Sequence, residues 1–217
     1  MNTTFLSNSL KTLKLKGASS IAEITNAYLN ITGNQKFSKI FFLNEQAKEE
    51  YIKYHEAYVL AVREFSTESS EAVQVYYPQE DLFNILFNQG VYHFLKENYL
   101  KAGEKFEEAV RMDKEDSLSR IYLGLILKKR KNYYAAERYF LKSIELDREN
   151  EYAWFFLGQT YLKAKKLNKA SSAFRKTETL SFYNNEIIAM TKDAFIEIER
   201  IRMKMGKKSI LTRVFKK

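Results

Sequence analysis

The sequence predicts an all-α fold of three stacked helix–turn–helix repeats, with accessory helices before them and a capping helix after. Three observations predict it. Gly90, Gly124 and Gly158 stand 34 residues apart. The same period relates Ala102, Ala136 and Ala170, and again Phe106, Phe140 and Phe174. A single Pro and seven Gly in 217 residues suit a nearly all-helical chain. A fixed period of this length marks a stacked repeat, in which each unit buries its apolar face against its neighbours.

The elements follow in order. Residues 1–80 read as an N-terminal accessory region and linker. Residues 1–16 carry Lys11, Lys14 and Lys16 and no apolar run of leader length, and they read as poorly ordered. Ser20 with Glu23 forms a capping box for a helix from Ile21 to Ile31, and Gly33 is a natural stop. A second helix is expected from Asn44 to Phe65, with Tyr51, Tyr54, Tyr58, Ala61 and Phe65 along one side and Phe41, Phe42 and Leu43 before it. Ser66 to Ser70 is a polar break. Pro78 forces an extended residue before it, so 66–80 reads as a linker with Asp81 a candidate cap.

Residues 81–184 hold the repeats, in units 83–116, 117–150 and 151–184. In the second unit Leu118, Ile121, Leu125 and Leu127 recur at helical spacing, and Lys128 to Lys131 break the pattern. Asn132 then caps a helix carrying Tyr133, Ala136, Phe140 and Ile144. Asn98 holds the matching place in the first unit, and Lys166, a poorer cap, in the third. A mid-helix Gly costs about 1 kcal/mol relative to Ala, so three at one phase imply close helix approach. The expected contact is Gly124 against Ala136. Shifting the period back once more puts Glu56 and Glu68 at the Gly and Ala places, so no fourth repeat is read. Residues 185–217 read as a capping helix, Asn185 to Met205 and ended by Gly206, followed by a basic tail.

These residues resemble the tetratricopeptide repeat family. The third unit gives Trp154, Leu157, Gly158, Tyr161, Ala170 and Phe174; the second gives Leu123, Gly124, Ala136 and Phe140; the first gives Gly90, Ala102, Phe106 and Ala109. Leu86 and Arg120 replace the Trp, Gln89 replaces the Leu before Gly, and the terminal Pro is absent. The resemblance covers about half the chain and implies a right-handed α–α superhelix. It implies a binding scaffold rather than a reaction. It further implies a concave groove lined by the first helices. Those positions are Asn84, Phe87, Val91 and Phe94, then Leu118, Ile121, Leu125 and Lys128, then Tyr152, Phe155, Gln159 and Leu162. Nine of these twelve are apolar or aromatic, more than a monomer leaves in water. The cover is a partner's amphipathic or apolar segment, the chain's own N-terminal helix, or the packing of the units themselves. Members that grip chaperone carboxylates place Lys and Asn where this chain has Phe87 and Val91, so a hydrophobic ligand is expected. Secretion chaperones for membrane-inserting clients are the alternative resemblance.

The charge is local. Residues 200–217 hold Arg200, Arg202, Lys204, Lys207, Lys208, Arg213, Lys216 and Lys217 and no acid, which leaves 28 basic and 27 acidic residues elsewhere. A neutral body argues against nucleic-acid binding by the whole domain. The tail is a candidate for an anionic surface, whether lipid, nucleic acid or an acidic protein, or else a solubilising end.

Chemistry is sparse. Cys is absent, which removes disulfides and thiol nucleophiles and fits a reducing compartment. His55-Glu56 lacks the second His of a zinc helix, where Val59 stands. His93 sits where Leu127 and Tyr161 stand in the other repeats and reads as packing. Gly206-Lys207-Lys208-Ser209 lacks the upstream glycine of a phosphate loop. The expectation is therefore a non-enzymatic scaffold or adaptor without cofactor, metal or small-molecule substrate. A client chaperone, or a membrane- or nucleic-acid-associated factor using the tail, is the alternative. With no apolar stretch of membrane-spanning length, and Lys, Asn, Ile, Phe and Tyr abundant, it reads as a cytoplasmic protein of an AT-rich bacterium.

Overall fold

The structure, a computed structural model, describes residues 3–17, 20–32, 45–68, 79–181 and 184–214. Among these residues there are ten helices and no strand. The chain divides into two compact units, Met1–Lys114 and Glu115–Lys217. The division falls inside the repeat array rather than near residue 80, because the first repeat is tied to the helices that precede it.

The first unit contains α1 (Thr3–Thr12), α2 (Ile21–Thr32), α3 (Glu45–Glu68), α4 (Gln79–Leu95) and α5 (Tyr99–Met112). The expectation of a poorly ordered start fails at α1. Leu6, Leu10 and Leu13 recur at helical spacing, and Leu10 and Leu13 are buried against a core of Ile24, Tyr28, Ala57, Tyr58, Ala61 and Val62. The three lysines that interrupt the sequence pattern lie on the exposed face and do not disturb that packing. Lys14, at φ 62°, ends the turn, and the Leu15 N–H donates to the Leu10 carbonyl at 2.8 Å. Helix α2 starts as read: the Ser20 hydroxyl accepts from the Glu23 N–H at 3.2 Å. Helix α3 runs three residues past Phe65 into the expected break, and α4 begins at Gln79, inside the expected linker and ahead of Asp81. Gly33, Phe41, Phe42, Leu43, Asn44 and the stretch Val73 to Pro78 lie outside the described residues.

Three helical hairpins carry the period: α4–α5 in the first unit, and α6 (Ser117–Lys129) with α7 (Tyr133–Leu146) and α8 (Glu151–Lys163) with α9 (Leu167–Leu180) in the second. The close approach differs from the expected pair. A Cβ built on Gly124 would sit 2.7 Å from the Phe140 ring, and the same holds for Gly90 with Phe106 and Gly158 with Phe174. The glycine thus makes room for the aromatic one turn beyond Ala136, because a ring reaches across the helix pair where a methyl does not. All three phenylalanines, and Ala102, Ala136 and Ala170, are completely buried.

The turns also repeat. Glu97, Lys131 and Lys165 adopt φ of 58°, 60° and 60°. The following N–H groups of Asn98, Asn132 and Lys166 bond back to His93, Leu127 and Tyr161 at 2.8, 2.9 and 2.8 Å. This is the Schellman closure of a helix C-terminus, made here by non-glycine residues. Asn98 and Asn132 then cap the next helix through Lys101 N–H and Ala135 N–H at 3.3 and 3.2 Å, while Lys166 makes no side-chain cap.

In the second unit α7 packs on α8, with Phe140 and Phe156 ring centroids 6.1 Å apart. The final helix, α10 (Asn185–Val214), closes the array. Ile187, Thr191 and Ile198 are buried, Phe195 lies 6.0 Å from Phe174, and Asn184 donates to the Tyr152 hydroxyl at 3.0 Å. The expectation that Gly206 ends this helix is corrected. A single Gly lowers helix stability by about 1 kcal/mol without breaking the hydrogen-bond ladder, and Met and Lys on either side are good helix formers.

Candidate partner-binding site

The twelve positions expected to line a groove do not share one environment. In the first unit Asn84 is exposed, Val91 is buried, and Phe87 and Phe94 are half-buried. Phe87 stacks edge-on against Phe106 at 5.8 Å and Phe94 against Tyr99 at 5.6 Å, both within their own hairpin. In the second unit Ile121, Leu125, Tyr152 and Phe155 are buried, while Leu118, Lys128, Gln159 and Leu162 remain accessible. Five of the nine apolar positions are therefore core. An array two helices thick must draw its interior from both helices, and Phe155 fills the space beside Phe156 and Phe174, at 5.6 and 5.9 Å. A uniformly greasy trough is not what these residues build.

Of the accessible positions of the second unit, Lys128, Gln159 and Leu162 open onto a recess of about 560 Å³ formed chiefly by α6, α8 and α10. Lys128, Lys129, Lys131, Tyr133, Gln159, Leu162, Lys163, Met190 and Ala194 line it, with no carboxylate among them. Lys128 is the central group. Its ammonium donates to Gln159 Oε1 and lies 5.0 Å from the centre of the Phe156 ring. Burial, and then the charges of Lys129 and Lys163, pull its pKa down to about 8. A half-buried cation held by an amide and a ring, neither of which neutralises it, is placed to receive an anion. Leu162, Met190 and Ala194 supply an apolar wall beside it.

Sequence reasoning found Lys128, Gln159 and Leu162 and missed the rest. Lys129 and Lys163 do stand one period apart, a signal that was available. Met190 and Ala194 come from α10, and no repeat spacing points to them.

A second cluster crosses from α7 to the α8–α9 hairpin. The Glu137 carboxylate accepts from the Tyr161 hydroxyl at 3.0 Å and from Lys166 at 2.8 Å, with Lys169 at 3.7 Å. Burial raises the Glu137 pKa, but the hydrogen bonds from Lys166 and Tyr161 outweigh it and the net shift is downward. Burial, then Glu137, pushes the Tyr161 phenol up to about 12. This cluster is internally paired and acts as a clasp between neighbouring helices.

His55 is buried, its Nδ1 is 2.7 Å from the Tyr28 hydroxyl, and its ring stacks on Tyr92 at 4.3 Å. Among the described residues no three His, Asp or Glu side chains gather as metal ligands. In the basic tail, Arg200, Arg202 and Lys204 are exposed. Lys207, Lys208 and Arg213 lie in the helical run of α10, and Lys216 and Lys217 fall outside the described residues.

The family model of the tetratricopeptide repeat matches residues 121–150 and 151–181. Residues 121–181 thus carry two tetratricopeptide repeats. The two matches are the α6–α7 and α8–α9 hairpins, and α4–α5 closes by the same Gly–Phe contact. Solved structures agree on the fold. The tetratricopeptide domain of Arabidopsis OM64 is 15% identical, with a TM-score of 0.52 over 57% of this chain and 98% of its own. The TPR2B domain of yeast Sti1, solved in complex with pHsp70, is 16% identical, with a TM-score of 0.53 over 55% and 97%. The first such domain of human RPAP3 is 16% identical, with a TM-score of 0.51 over 55% and 94%. No curated protein matches the sequence. At these identities the likeness is one of fold: an all-α tetratricopeptide solenoid. Among the described residues no helix is long and apolar enough to cross a membrane.

Proposed function

We propose that this tetratricopeptide repeat protein is a non-enzymatic interaction scaffold, whose second unit holds an amphipathic segment of a partner protein in the recess between α6, α8 and α10. The observation that carries this reading is Lys128: a cation drawn into an acid-free recess, beside the apolar wall of Leu162, Met190 and Ala194. The fitting segment presents apolar side chains with a carboxylate among them, a narrower class than the purely apolar ligand expected from sequence. Leu118 extends the accessible surface on α6, and Asn84, Phe87 and Phe94 offer a further, more sheltered surface on the first unit. Pulling in a peptide rather than a small substrate suits a fold that in yeast Sti1 was solved with pHsp70. The lack of cysteine fits a cytoplasmic setting.

Fluorescence anisotropy with labelled amphipathic peptides, one series carrying Glu among leucines and a matched series carrying Gln, tests this. The Glu series binds more tightly. Lys128→Met removes the preference, and Leu162→Glu lowers affinity for both series at least about tenfold, the loss of roughly 1.4 kcal/mol. Affinity for the Glu series falls as pH rises through about 8, where Lys128 loses its charge. Equal affinity for both series, or indifference to both substitutions, removes the recess as the site. The change at Lys128 raises stability, because the charged form is the one burial penalises. Weaker binding with a higher unfolding midpoint is the combined signature.

A further inference from the structure

Past Ile198 the last helix keeps one side on α9, where Ile201 is half-buried and Arg202 donates to Asn168 Oδ1 at 3.2 Å, and turns other side chains to water. Ile198 is buried, but Met203 and Met205 are 61% and 57% exposed although they point about 200° apart around the helix. The helix runs on to Val214. Like charges weaken this end of the helix: Lys204 precedes Lys207 and Lys208 by three and four residues, the spacing at which they repel. Glu197 and Glu199 pair with Arg200 and Arg202 at 3.7 and 2.5 Å, and beyond them residues 200–217 contain no acid.

The pattern of the overrun is specific. Ile196, 53% exposed, and Met203 begin a register that the sequence continues with Ile210 and Val214, at i, i+7, i+14 and i+18. Arg200 and Lys207 fall on one flank of that register and Arg202 and Arg213 on the other. An apolar stripe edged by bases on both sides suits a helix lying in a headgroup layer, with the bases among phosphates and the stripe below. The turn before α9 adds Lys165 beside Arg202, around a recess of about 600 Å³ in which Lys166 and Lys169 are already paired with Glu137.

We propose that the basic end of α10, residues 196–214, docks on the surface of an anionic phospholipid bilayer. A nucleic acid would neutralise the charge but would leave Ile196 and Met203 in water. A second copy of the helix laid parallel would set two like-charged ends against each other.

Co-sedimentation of the full chain with vesicles decides it. Vesicles of phosphatidylcholine alone are compared with vesicles containing about 30% phosphatidylserine, at about 0.1 M salt. The expected result is at least tenfold stronger binding to the anionic vesicles, largely lost at about 0.5 M salt. Met203→Glu and the pair Lys207→Glu with Lys208→Glu each lower it tenfold or more, with the far-ultraviolet circular dichroism of the free protein retained. Lys128→Met leaves it unchanged, which separates this surface from the peptide site. Equal binding to both vesicle types, unchanged binding by the two variants, or a gel shift with duplex DNA and no vesicle binding would each overturn the proposal.

Discussion

Asn88 and Phe156 occupy the same place in the repeat, two periods apart, and meet opposite neighbours. Phe156 on α8 faces Phe140 of α7, the preceding repeat helix, with rings 6.1 Å apart and 27° from parallel. Asn88 on α4 faces Tyr51 of α3, a helix with no repeat pattern. There the Tyr51 hydroxyl donates to Asn88 Oδ1 at 2.8 Å, and Asn88 Nδ2 donates to the Thr32 hydroxyl at 3.0 Å. Thr32 in turn donates to the Tyr28 carbonyl at 2.9 Å, and His55 joins Tyr28 to Tyr92. One junction is an apolar stack with a charged clasp at its rim; the other is a buried polar network. Aromatic packing is weakly directional, and between two repeat helices the period already sets the register. Helix α3 lacks that period, so directional hydrogen bonds fix where it sits on α4.

The largest way to break this comparison is Phe156→Asn. It removes an aromatic from the core and buries an amide that lacks the partners Asn88 enjoys. A loss of about 4 kcal/mol is expected, read from urea unfolding followed by the fluorescence of Trp154, the chain's single tryptophan. A loss under about 1 kcal/mol would mean the second junction tolerates polarity as well as the first.

Next, Asn88→Leu strips one partner from Tyr51 and the donor from Thr32. About 2–3 kcal/mol is expected from groups left unsatisfied in the interior, although the substitution adds apolar surface. A neutral or stabilising result in a urea titration followed by circular dichroism would show that the network is dispensable.

Acid sharpens the contrast. Burial, then His93, holds the His55 pKa down near 3 against an ordinary 6.5. The unfolded chain therefore binds a proton that the folded chain refuses, so stability falls as pH drops from about 6.5 toward 3. Glu137, whose folded pKa is depressed, contributes stability that is retained until pH falls through the carboxylate range. From pH 7 to pH 5 the hydrogen-exchange protection free energy, corrected for the intrinsic rate, should fall by about 2 kcal/mol in segments 24–32 and 51–62, while 133–146 holds its protection. Equal loss in both segments would sink the assignment.

The smallest effect is a control on what the two regions share. Gly90→Ala and Gly124→Ala each press a methyl into a phenylalanine ring at 2.7 Å, and each should cost about 1–2 kcal/mol. Unequal costs, measured by thermal unfolding, would show that the two hairpins close differently.

Much of the architecture was legible because period, caps and breakers are local. The 34-residue spacing located the three hairpins, Asn98 and Asn132 announced their helix starts, and Ser20 announced α2. The misreadings arose where the decision was not local. Leu10 and Leu13 look unremarkable between lysines until α2 and α3 supply a core for them. Gly206 looks like a stop until the helix on either side carries through it.

For the candidate site the balance is reversed. The sequence by itself determined that the chain folds as repeated helical hairpins, because a Gly, an Ala and a Phe recurring at one period can close in only one way. It also put Lys128, Gln159 and Leu162 on first helices. Only the tertiary structure decided that Val91, Ile121, Leu125, Tyr152 and Phe155 turn inward, and that Met190 and Ala194 of α10 wall a lysine-lined recess. Periodicity gives a residue's angle around its own helix; whether that angle faces water depends on which other helix arrives there.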